Sequence, residues 1–128
     1  MMTESENTLK AAAIHFLQLT ATGNVNEAFY LYVGPEFRHH NMHFKGNADS
    51  LKAAMEESAI NLPAKQLEIQ FAVAEKNMVA VYSKVTISPG EAGIALVHFF
   101  RFRNDKIIEL WDLAQAPSEE MINENGLF

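Results

Sequence analysis

The residues with the most chemical potential lie in two apolar runs, IALVHFFRFR (94–103) and KIIELWDLAQ (106–115). His98 stands among large apolar neighbours, and a histidine so placed must find a partner or stay neutral. Strand alternation puts it on one face with Leu96, Phe100 and Phe102, with Arg101 on the other beside Val97 and Phe99. Asn104-Asp105 marks a turn between the runs. A two-residue loop there pairs Arg103 with Lys106 and sets His98 opposite Trp111. One extra residue, as in a bulged hairpin, sets His98 opposite Asp112 instead. The two registers differ by one residue and exchange faces, so the sequence leaves both open. With Asp112 facing it, His98 would share an apolar setting with a carboxylate, a pair suited to general acid–base chemistry. The plainer alternative is a core histidine satisfied by hydrogen bonds, with the aspartate capping or pairing with Arg101.

The run FRHHNMHF (37–44) holds three of the five histidines. As a metal site it offers His39, His40 and His43, with Asp112 or His98 as a fourth ligand. Neighbouring histidines diverge in extended chain, however, and no HExxH spacing on a helix is present. The run also fits a polar surface loop. A third reading is a pocket rim, with His39 or His40 and Asn41 presenting donors and acceptors to a ligand. No glycine-rich phosphate loop follows a strand, and Ser58, Ser83 and Ser88 lack a nucleophile-elbow context. The expectation is no metal and no cofactor.

Composition bounds the partners. The chain has 128 residues, net charge −6 and no cysteine. Absence of thiols removes disulfides, thiolate zinc and cysteine nucleophiles. An acidic balance with scattered Lys and Arg argues against nucleic acid, whose phosphates demand clustered cations. No apolar run reaches the roughly 18 residues of a membrane span. The opening MMTESENTLK is polar and acidic, unlike a secretory signal, so the expectation is a cytoplasmic protein. Glu56-Glu57 and Glu119-Glu120 read as solvated faces, and Met42, Met55 and Met78 as packing filler.

The elements that must position these residues divide into helices first and strands after, an α+β order. Leu9, Ala12, Ala13, Phe16 and Leu19 recur at helical spacing, with Thr3, Ser5 and Asn7 as candidate caps and Gly23 as a stop. Asn24 and Glu27 have the form of a capping box for a short second helix, ended by Gly34-Pro35. Residues 36–46 read as neither helix nor clean strand. A third helix covers 48–61, capped by Asn47, with Leu51, Ala54, Met55 and Ser58 turned inward. Strands are expected over 67–75, 78–88, 94–103 and 106–115, joined by short turns into a meander. The whole chain, 1–128, reads as one domain whose tail, 116–128, is irregular but docks through Met121, Ile122, Leu127 and Phe128. Neither face of 78–88 is simply polar, which suggests a sheet covered on both sides, or one side forming a subunit contact.

FRHHN (37–41), VHFFRF (97–102) and NDKIIELWDLAQ (104–115) carry a resemblance to the SnoaL-like branch of the nuclear-transport-factor-2-like superfamily. The first is similar to that branch's Tyr-x-x-His-Asn-Pro run, the last to Asn-Gly-Lys-Ile-x-Glu-x-Trp-Asp-x-x-Gln. The resemblance runs from the first helix to Gln115. It implies a cone in which three N-terminal helices pack on a curved, mainly antiparallel sheet enclosing a pocket. It further implies His98 where related isomerases carry an acidic hydrogen-bond donor, and Asp112 near the working aspartate of cyclases and epoxide hydrolases, which favours the bulged register. His40 and Asn41 match the rim motif; Trp111 and Gln115 match the last strand. Phe37 stands for the family's Tyr and Met42 for its Pro, while Tyr82 and Lys84 occupy positions where histidines are expected.

The reading taken forward makes Asp112 the proton carrier and His98, with His40, a hydrogen-bond donor to a developing enolate oxygen. His39, Asn41, Trp111, Phe100, Tyr82, Leu96 and Gln115 line the ligand site. The reaction would be a cofactor-independent isomerisation, aldol-type cyclisation or hydration of a small carbonyl compound, in a homodimer. The rival is a noncatalytic ligand-binding or dimerisation module, in which His98 and Asp112 satisfy each other or backbone groups and no cavity for a small ligand remains.

Overall fold

Thr3 begins the first helix of the computed structural model, which describes residues 2–128. Its hydroxyl accepts from the Glu6 N–H at 3.0 Å while Glu6 accepts from the Thr3 N–H at 2.8 Å, a reciprocal cap for α1 (Glu4–Ala21). Leu9, Ala13, Phe16, Leu17 and Thr20 form the buried stripe of α1. Gly23, at φ +84°, turns the chain into α2 (Val25–Tyr32). The capping box expected at Asn24 does not form: the Asn24 amide turns back to the Thr22 hydroxyl.

Residues 33–39 form a strand, β1 (Val33–His39), where the sequence pattern showed none over 36–46. The reason is its position. β1 is an edge strand running parallel to the last strand, and its ladder is interrupted between Val33 and Arg38, where Gly34-Pro35 sits. An edge strand needs only one ladder, so proline is tolerated there. α3 (Ala48–Asn61) is capped as expected, the Asn47 side chain accepting from the Ser50 N–H at 2.9 Å.

The meander follows as β2 (Gln66–Glu75), β3 (Met78–Thr86), β4 (Ile94–Arg103) and β5 (Lys106–Gln115), giving the order β1-β5-β4-β3-β2. Only the β1–β5 pair is parallel; the other pairs are antiparallel. Three helices therefore lie on a five-stranded, mainly antiparallel α+β sheet. Phe16 anchors the junction, its ring 6.0 Å from Phe100 on the sheet and 5.5 Å from Phe29 on α2. Phe100, Phe102, Ile107, Leu110, Val79 and Val81 complete the inner layer, all essentially without solvent contact.

The β4–β5 hairpin combines both registers considered from sequence. Asn104 and Asp105 take φ +51° and +63°, the left-handed pair of a type I′ turn, and Arg103 faces Lys106. Phe102 then faces Ile107 but Arg101 faces Glu109, so Ile108 is an extra, bulged residue. Beyond it His98 stands opposite Asp112. The bulge keeps Ile107 and Leu110 both inside although they are three apart, and turns Glu109, Trp111 and Leu113 outward.

The tail reaches the outer side of the sheet. The Tyr82 hydroxyl donates to the Leu127 carbonyl at 2.5 Å, and the Phe128 ring lies 5.9 Å from Tyr82 with the Lys84 ammonium 5.4 Å above it. Ile122 stays in solvent. Among the described residues no helix is long and apolar enough to cross a membrane.

Candidate functional site

His98 and Asp112 both open on a cavity of about 280 Å³ between the inner face of the sheet, α1 and α3. Its walls are largely apolar, from Leu17, Leu51, Met55, Leu67, Val85 and Leu96. Asn41 and Phe44, from the loop after β1, close one side.

His98 is 6% exposed, and its Nδ1 is buried without a hydrogen-bond partner among the described residues. The Phe100 ring stacks beside it at 5.9 Å. Burial drives its pKa from 6.5 down to about 4, with the Asp112 charge pulling weakly the other way. The imidazole is therefore neutral near pH 7. A second orphan lies close by: the Ser83 hydroxyl is buried without a partner among the described residues, on the β3 residue facing Leu96.

Asp112 is held by Asn41 instead. The Asn41 amide Nδ2 donates to the two carboxylate oxygens at 3.2 and 3.1 Å. Parallel pairing sets His39 level with Leu110, and the same register continued by two residues brings Asn41 level with Asp112. Asn41 is itself fixed: its Oδ1 accepts from the His43 N–H at 2.9 Å and its own N–H donates to His39 Nδ1 at 3.2 Å. His39 Nε2 donates to the Lys45 carbonyl at 2.7 Å, so this buried ring staples the loop rather than facing the cavity.

The other residues expected at the site lie elsewhere. Trp111 follows alternation onto the outer face, and His40 stacks on it at 4.9 Å with the planes 10° apart. His40 Nε2 is 2.7 Å from Glu109, which also takes Arg38 at 2.9 and 3.3 Å and Arg101 at 3.2 Å. Hydrogen bonds from Arg38 and then His40, with the Arg38 charge and a bond from Arg101, hold the Glu109 carboxyl down at about 2. Arg101 thus pairs with Glu109, not with Asp112. Tyr82 is outward, under the tail; Phe100 is in the closed core beneath His98; Gln115 lies at the end of β5 among tail residues. Of the expected lining, the cavity gathers His98, Asp112, Asn41 and Leu96. Among the described residues no three His, Asp or Glu side chains converge as metal ligands do.

Sequence reasoning missed Lys65 and Glu109. Lys65 lines the cavity and its Nζ donates to the Ser58 hydroxyl at 2.7 Å. It lies in the connection between α3 and β2, where no periodicity points inward, although Ser58 belonged to the inward stripe. Glu109 sits between apolar neighbours in IIELW, and a charge in such a run was the available signal.

No family model matches the chain, and no curated protein matches it. Solved structures do. A candidate polyketide cyclase from Bacillus cereus ATCC 10987 superposes with a TM-score of 0.75 at 19% identity, over 89% of this chain and 79% of the other. AclR, a candidate hydroxylase from Streptomyces galilaeus, gives 0.73 at 20% identity over 86% and 90%. A candidate SnoaL-like polyketide cyclase from Jannaschia sp. CCS1 gives 0.71 at 14% identity over 90% of each chain. The chain has the SnoaL-like, nuclear-transport-factor-2-like fold. Identities this low carry the architecture and no reaction.

Proposed function

We propose that the cavity takes a small, mainly apolar carbonyl compound and that the protein acts on it by cofactor-independent acid–base chemistry. Isomerisation, aldol-type cyclisation and hydration share the required step, proton movement beside a carbonyl. Asp112 carries the proton, and neutral His98 donates a hydrogen bond to the oxygen that gains charge. The observation that supports this most is the unpartnered Nδ1 of His98, on a ring directly opposite Asp112 at the wall of a cavity. An unsatisfied buried nitrogen costs stability. The named activities of two structural relatives as polyketide cyclases fit the same class.

The test is hydrogen–deuterium exchange at carbons beside the carbonyl, followed by NMR over a panel of apolar ketones. Exchange should be catalysed by the wild type and lost in Asp112→Asn. An unchanged rate in that variant sinks the role.

A second reading is a ligand-binding module without turnover, and the Asn41 amide favours it by occupying both Asp112 oxygens. It predicts ligand binding by calorimetry and no exchange in any variant.

The proposal extends to a homodimer through the outer face. Phe71 (60% exposed) and Leu113 (66% exposed) lie there on either side of Tyr82 and Val97, with Arg101 and Glu109 toward one side. An apolar centre with charge at its margin suits a two-fold self-contact. Light scattering should give a dimer mass that Leu113→Lys reduces to the monomer; a monomeric wild type overturns it.

A further inference from the structure

Lys65 poses a problem that the acid–base pair does not answer. Its ammonium has three N–H donors, and among the described residues one acceptor, the Ser58 hydroxyl, engages it. No carboxylate pairs with it among the described residues, although Glu68 and Glu91 line the adjoining groove. Lys65 is half-buried between the cavity and that groove, and this partial burial lowers its pKa by disfavouring the charged form.

Its location is informative. Lys65 lies at the cavity end marked by Leu67 and Val85, which face each other across β2 and β3. His98 and Asp112 share a row with Val81, four residues along β3, or about 13 Å at the usual strand rise. One end of the cavity therefore presents a cation and a hydroxyl, the other a carboxylate and a neutral imidazole, with apolar side chains between.

We infer that Lys65 and Ser58 form an anion subsite, so that the molecule taken up is an oxo acid: an apolar body with a carboxylate at the Lys65 end and its carbonyl at His98. This deepens the proposed function and rests on its cavity reading. A bound carboxylate supplies the missing counter-ion and accepts the free donors of Lys65. The same anchor sets how far along the cavity the carbonyl lies.

The experiment is calorimetric titration of octanoate and of its neutral counterpart octanamide into the wild type, Lys65→Met, Lys65→Arg and Leu96→Trp. Hydrogen bonds to a charged partner predict roughly a ten- to hundredfold preference for octanoate in the wild type. The preference should vanish in Lys65→Met and return in Lys65→Arg, and Leu96→Trp should block both compounds. Equal binding of the two compounds, or a preference that survives Lys65→Met, overturns the subsite and leaves the cavity reading standing. Binding that persists in Leu96→Trp places the acid outside the cavity and overturns the subsite. No binding of either compound to any of the four proteins overturns both.

Discussion

His98 and Asp112 are partners across the β4–β5 ladder, yet no hydrogen bond joins them; Asn41 holds the acid, and nothing among the described residues holds the imidazole. The arrangement places a fixed acceptor beside an unsatisfied ring.

The first expectation concerns acid. The unfolded chain binds a proton at His98 near pH 6.5, the folded chain only near 4. Between those values the unfolded state carries more protons, so stability falls as pH drops through the window. This residue's share of the loss reaches about 3 kcal/mol by pH 4 and is absent above 6.5. Urea titrations of wild type and His98→Gln at pH 7 and 4.5 measure it; equal pH sensitivity of the two proteins contradicts it.

Replacing His98 by Phe should stabilise the fold. The change removes an unpartnered buried nitrogen and keeps a flat ring against Phe100, a gain of about 1–3 kcal/mol at pH 7. Any carbonyl exchange activity should be lost in the same protein. A destabilised variant would mean that the imidazole is satisfied in solution.

Glu109 works in the opposite sense on the outer face. Its folded pKa of about 2 lies below the ordinary 4.5, so its stabilisation is complete above 4.5 and disappears as pH falls toward 2. Glu109→Gln should lower the melting temperature at pH 7 and flatten the pH dependence below 4.5. Cavity binding should be unaffected, since Glu109 does not border the cavity; differential scanning calorimetry and titration read the two effects separately.

Asp105 holds φ +63° beside Asn104 at +51°, a conformation that costs a side-chain-bearing residue about 1 kcal/mol. Asp105→Gly should raise stability by up to about that amount. A loss in denaturant midpoint would show that the Asp105 side chain contributes to the turn.

Much of the architecture was legible because its signals are local. The helical stripe around Phe16, the Asn47 cap and the meander of short-turned strands depend on neighbours in sequence. β1 was not legible: its pairing partner is β5, far along the chain, and Gly34-Pro35 breaks its pattern. The Asn24 cap failed because the amide found the Thr22 hydroxyl first. At the site, alternation limited the choice to Trp111 or Asp112 beside His98, and the family resemblance favoured the aspartate. His40 was expected beside His98 but stacks on Trp111 at the outer face, because its orientation follows from β1. Lys65 escaped because a loop side chain has no periodicity to betray its direction.

Ile108 has a last consequence for how this sequence can vary in length. Because it faces no residue of β4, its deletion would close the ladder while Glu109 kept Arg101 and Asp112 kept His98. A single deletion between 109 and 112 has no such spare position to absorb it. It would invert the preceding part of β5 or carry Asp112 away from His98. Tolerance to indels in this strand should thus concentrate at one residue, and alignments that place a gap elsewhere would misassign the cavity side chains of distant relatives.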